Sequence, residues 1–143
     1  PREISEEDVS CVVGEIKTEN VFALTEALKS KNAQEAFRLL HNQLSRGEQP
    51  VKILGTIAWQ LRTIWEVKHH QEKKRSSGKI AELMGSKPFV VEKAMRQTGN
   101  FSRQELRRGF ANLSQADLEL KTSGKNPQMV LESLVLKLCS GCG

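Results

Sequence analysis

A chain of 143 residues with 38% hydrophobic and 27% charged residues suits one globular domain with a core, or a domain plus a fragment of another. No apolar run approaches the ~20 residues that a membrane-spanning helix needs, and there is no secretory signal. The net charge of +5, from 22 Lys+Arg against 17 Asp+Glu, suggests an acidic partner but falls short of a dedicated nucleic-acid arm.

The chain begins at Pro1, which points to processing or to a piece of a longer protein. Its three cysteines are an odd number, with Cys11 remote from Cys139 and Cys142, so a disulfide framework is not expected and a reducing cytoplasm is. Four prolines, no tyrosine and abundant Leu, Ala, Lys, Glu and Gln favour helix. Ser5 followed by Asp8 reads as a helix start, and that short helix ends by Gly14. Residues 15–19 form a connector, and Asn20 caps a helix through Val21, Leu24, Ala27 and Leu28. Asn32 with Glu35 opens another, with Ala33, Ala36, Phe37, Leu40 and Leu44 as its stripe and Gly47 ending it in the left-handed region.

Pro50 suits the first position of the longest helix, where a missing amide hydrogen costs nothing. Leu54, Ile57, Ala58, Leu61, Ile64, Trp65 and Lys68 recur at three and four, so they line one face of a helix over 50–68. Both tryptophans lie here, Trp65 on the stripe and Trp59 nearly opposite. The spacing therefore predicts a central spine with Trp65 inward and Trp59 outward. Residues 69–78 carry no apolar period and read as a solvated helix end and loop. Short helices follow at 79–84, stopped by Gly85, and from Pro88, with Phe89, Val90, Lys93, Ala94 and Gln97 around it. Ser102 with Glu105 opens a long helix to about Lys121. Asn126 caps the last, whose Met129, Val130, Leu131, Leu134, Val135, Leu136 and Leu138 make it apolar nearly all round and predict burial. The expected fold is all-α, a helical bundle of about seven helices.

Asp117 shares a face with Leu106, Phe110, Leu113 and Leu120, since eleven residues make almost three turns. A carboxylate on a core face needs a partner. Lys121 and Arg62 supply one, so a structural salt bridge between helices is expected. His69-His70 beside Lys73, Lys74 and Arg75 cannot share one metal in regular helical geometry, because adjacent residues point to different faces. Cys139-Ser140-Gly141-Cys142 has redox-pair spacing but trails from a helix end, with no second pair for zinc. The 79–96 segment has the outline of a helix-turn-helix, with Lys87, Lys93 and Arg96 on its second helix. No phosphate loop, nucleophile elbow or H-E-x-x-H motif is present, so no catalysis, metal or cofactor is expected.

Val21-Phe22-Ala23-Leu24-Thr25-Glu26-Ala27-Leu28, Ala36-Phe37-Arg38-Leu39-Leu40, Gly47-Glu48-Gln49-Pro50, Ile53-Leu54 and Gln60-Leu61-Arg62 together resemble the C-terminal part of the delta subunit of bacterial DNA polymerase III. So do Phe101-Ser102, Leu106, Leu113, Ala116-Asp117, Leu120-Lys121-Thr122 and Leu131-Glu132-Ser133-Leu134-Val135. The likeness spans residues 4–138, and related clamp-loader subunits share this kind of helical end. The resemblance implies an AAA+ clamp-loader subunit without a working ATP site, whose missing N-terminal domain binds and opens the sliding clamp. Residues 1–17 would be the end of its lid domain plus connector, and 18–143 a helical collar domain that assembles with other loader subunits and meets DNA only indirectly. Interface candidates are Trp59 with Thr56, Thr63 and Glu66 on the spine, and Arg103, Gln104 and Arg107, since interfaces favour Trp and Arg. The alternative reading is a DNA-binding module using the 79–96 hairpin.

Overall fold

The computed structural model describes residues 23–24, 26–28, 32–122 and 124–140, and among these there is helix and no strand. Residues 23–24 and 26–28 are helical and bury Leu24, Ala27 and Leu28. Six helices follow: α1 (Ala33–Ser45), α2 (Pro50–Glu72), α3 (Ser77–Met84), α4 (Pro88–Gln97), α5 (Arg103–Thr122) and α6 (Pro127–Ser140), with a 3-10 turn at Thr98–Asn100. The expectations for Ser5, Gly14, the Asn20 cap, Cys11, Cys142 and the boundary between residues 17 and 18 lie outside the described residues.

Local chemistry sets the helix ends. The Asn32 side chain accepts from the Glu35 amide at 3.1 Å, Ser76 accepts from Lys79, and Asn126 accepts from Gln128 and Met129. Ser102 and Glu105 form a complete reciprocal box: the Glu105 amide donates to Ser102 Oγ at 3.0 Å, and the Ser102 amide donates to Glu105 Oε1 at 3.2 Å. At the end of α1 the Gly47 amide donates to the Leu44 carbonyl and the Glu48 amide to that of Gln43. With Gly47 at φ 86° this is a Schellman closure.

The spine is the centre of the bundle. α2 packs on α4, α5 and α6 and on the 3-10 turn, while α5 packs on α6, α1 on α6, and α3 on α4. Ile53, Leu54, Thr56, Ile57, Gln60, Leu61, Thr63, Ile64 and Val67 are buried, which covers about half of the circumference at ~100° per residue. Gly109 makes the closest approach: a Cβ there would meet Leu61 Cδ1 at 3.3 Å and Leu138 Cδ2 at 3.5 Å, so α5 sits tight against α2 and α6.

α2 runs on to Glu72, a turn past its apolar stripe. Tertiary bonds hold that polar turn. Lys68 Nζ donates to the Thr98 carbonyl at 3.2 Å, Thr98 Oγ1 donates to Gln71 Oε1 at 2.6 Å, and Glu72 pairs with Arg103. Two apolar expectations need correction. Phe89 is exposed at the start of α4, where Val90, Val91, Ala94 and Gln97 face inward instead. α6 is not buried on all sides, because Met129 is 66% and Leu136 52% exposed.

Candidate interaction surface

The strip of α2 outside its buried arc is where the outward residues of the spine collect. Val51, Arg62 and His69 are exposed, and Trp59, Trp65 and Glu66 are half-buried. Trp59 and Trp65 are six residues apart, which places them about 120° apart around the helix, one at each margin of this strip. Trp65 packs against the core, as the inward reading expects, and Trp59 is half-buried rather than fully outward; both border the buried arc, because α2 is covered over half its circumference and not along one narrow stripe.

Trp65 is fixed from α5. Its ring meets Phe110 edge-on, with centroids 5.8 Å apart and planes at 79°. The guanidinium carbons of Arg103 and Arg107 lie 5.5 and 5.9 Å from its centroid, within cation–π range. Arg103 and Arg107 are four apart, so successive turns of α5 lay both over one ring. Arg103 also grips Glu72, its Nε donating to Oε1 at 3.1 Å and its Nη2 to Oε2. That hydrogen bond, more than the charge alone, holds the Glu72 carboxyl below the usual carboxylate range. The five side chains make a half-exposed cluster with a net positive charge beside the α2 strip. Arg103 and Arg107 were legible as a pair on α5. Their ring partner was not, because its place depended on how α2 and α5 pack.

Other expected residues lie elsewhere. Thr63 and Thr56 are buried, at 5% and 9% exposure, so neither lies on an outer surface. Each donates its hydroxyl to the carbonyl four residues back, Thr63 to Trp59 at 2.8 Å and Thr56 to Lys52 at 3.0 Å, which is how a helix interior tolerates a buried threonine. Asp117 is not on the core face either. The buried face of α5 is Leu106, Gly109, Leu113 and Ala116, and Asp117 lies on its shoulder with its side chain 42% exposed. Its partner is Lys121, 3.1 Å away within the same helix, so this pair ties one turn of α5 to the next and does not join two helices. Arg62 is exposed on α2.

Cys139 is buried against the core at the end of α6. His70 and Arg75 are joined, Arg75 Nη1 lying 2.7 Å from His70 Nδ1. Burial first, then the charges of Arg75, His69 and Lys73, pushes the His70 imidazole below its ordinary value. Among the described residues no group of His, Cys, Asp and Glu could hold a metal, and no helix is long and apolar enough to cross a membrane. A cleft of about 20 Å³ lined by Leu61, Phe101, Gly109 and Leu138 has room for a water, far below the hundreds of Å³ typical of ligand sites.

The described residues form an all-α helical-bundle domain around a central helix that is buried over half its circumference. Residues 18–138 match the family model described as the DNA polymerase III delta subunit, C-terminal domain, and the chain belongs to that family. It is 32% identical over 136 residues to the DNA polymerase III subunit delta of Bacillus subtilis (strain 168), covering 95% of this chain and 39% of that protein. The Bacillus subtilis DNA clamp loader delta protein (YqeN) superposes with a TM-score of 0.82 at 31% identity, over 94% of this chain and 40% of that one. The chain thus spans about two fifths of the length of these relatives. The DNA-binding reading of the 79–96 hairpin gains no support from this family.

Proposed function

We propose that this chain is the collar domain of a clamp-loader delta subunit and that its function is assembly with other loader subunits, without chemistry of its own. The observation that carries the reading is the α2 strip. A central helix flanked by four described neighbours keeps one side outside its buried arc, with a tryptophan at each margin and an arginine pair beside it. Tryptophan and arginine are enriched among the few residues that carry most of an interface's binding energy. The exposed Met129 and Leu136 on α6 give a second apolar stretch suited to the same use.

In this reading residues 1–17 are the end of an AAA+ lid domain with its connector, and residues 18–143 the collar; a family match that begins at residue 18 supports the division. Contact with the sliding clamp belongs to an N-terminal domain outside this chain, DNA is met indirectly, and the setting is the cytoplasm, where replication takes place in bacteria.

The test is size-exclusion chromatography of the chain mixed with the other loader subunits. Co-migration is expected, and Trp59→Ala or Arg107→Glu should weaken it about tenfold while the circular dichroism spectrum is kept. Raising the salt should weaken it only mildly, in contrast to the steep loss that defines phosphate binding. No co-migration with any loader subunit would refute the reading.

A further inference from the structure

The segment 73–97 holds seven Lys and Arg against two Glu, so its net charge of +5 equals that of all 143 residues, and the rest of the chain is balanced. This charge is carried on the α3–α4 hairpin and the loop that leads into it. The chain leaves α2 through Lys73, Lys74 and Arg75, with Lys74 at φ 56°, and forms the α3–α4 hairpin around Gly85 at φ 67°. α4 lies on α2 and α3 lies on α4, so α3 is the outermost layer. Ile80, Ala81, Val90, Val91 and Ala94 hold the hairpin inward.

At the turn two large apolar side chains point away from that core. Leu83, in the last turn of α3, is 49% exposed, and Phe89, in the first turn of α4, is 43% exposed. The exposed Lys87 lies between them in sequence. From this juxtaposition of apolar tip and concentrated positive charge we infer that the α3–α4 corner is a docking site for an acidic protein segment bearing apolar side chains. The apolar residues of the segment would cover Leu83 and Phe89, and its carboxylates would meet Lys87, Arg96 and the 73–75 run. Charge complementarity selects the sign of the partner and the two apolar side chains select a peptide over a polyphosphate, which has nothing to set against them.

A duplex is disfavoured by the face that α4 turns outward. Pro88, Phe89, Glu92, Lys93 and Arg96 are its exposed side chains, so a carboxylate sits in the middle of the surface that a groove-reading helix would offer, and Gln97, a base-reading type, is buried.

Fluorescence anisotropy on the 143-residue chain tests the inference. The probe is a labelled peptide of about twelve residues of Asp and Glu with Leu and Phe at every third or fourth position. Its controls are an equally charged peptide with Ser at the apolar positions, and oligothymidine. Saturable binding of the apolar-bearing peptide is expected, about tenfold weaker for the Ser peptide and for the Leu83→Ser/Phe89→Ser variant. Lys87→Glu, a loop change that leaves the hairpin core intact, should weaken it as well, which keeps the test decisive should the double variant fail to fold. Equal binding of the two peptides, preference for oligothymidine, or no effect of Lys87→Glu would each overturn the proposal.

Discussion

Trp65 is held by an aromatic edge from Phe110 and by two guanidinium planes, and each contact sets part of what its removal costs. An aromatic pair contributes ~0.5–1.5 kcal/mol beyond burial, and each exposed cation–π contact ~0.5–1 kcal/mol. Because the ring is half-buried, Trp65→Ala should cost about 2–3 kcal/mol, below the ~3–5 kcal/mol of a fully buried aromatic. Urea unfolding would show this as a lower midpoint with an unchanged slope, and Trp59→Ala should shift the midpoint far less. His70 gives a pH signature. Its folded value lies below the ordinary ~6.5, so in acid the unfolded chain takes up a proton that the native state resists. Stability is therefore full above about pH 6.5 and is lost as pH falls from there towards the folded value. Thermal melts between pH 7.5 and about 5.5 should show a decline that His70→Gln reduces. The lowered carboxylates, Glu35, Glu72 and Glu119, act in a more acidic window, where their own protonation removes stability.

Helix ends in this chain were readable because they are local. Ser102 and Glu105 satisfy each other's orphan amides, so Ser102→Ala should cost about 1 kcal/mol and lower the melting temperature by several degrees, whereas Ser114→Ala, on the exposed side of α5, should change it little. The Asn32 cap is only half a box. Its amide donates to Ala27, and the Glu35 carboxylate turns forward to Arg38, whose hydrogen bond holds Glu35 below the usual carboxylate range. The last turn of α2 was not legible, since His69 to Glu72 has no apolar period. Its stability comes from Thr98 and Arg103, both more than twenty-five residues away along the chain.

Across the whole molecule, charge and apolar surface are placed unevenly. The net charge gathers at the α3–α4 corner, the side of α2 outside its buried arc carries the tryptophan margins, and α6 leaves Met129 and Leu136 to solvent. His41 and Glu132, 2.7 Å apart, join α1 to α6, opposite in sequence to the α2–α5 platform. A bundle of this kind has its core closed by short-range packing while several outer faces stay suited to partners. Gln60 Nε2 and Gln97 Oε1 have no hydrogen-bond partner among the described residues, although the Gln97 amide donates to Glu26 at 3.1 Å.

From the sequence alone came the all-α class, the helix order, the central place of α2, the caps at Asn32, Ser102 and Asn126, and the family. Each rests on nearest-neighbour chemistry or on a 3.6-residue period, which the chain carries with it. Tertiary structure alone decided which arc of α2 is covered. A period locates the centre of an apolar face but not its width, and the width follows from how many helices pack on it. That is why Thr56 and Thr63 lie inside and Trp65 sits at a margin beneath Arg103 and Arg107. It is also why Asp117, about 60° from the centre of the buried face of α5, pairs along its own helix with Lys121.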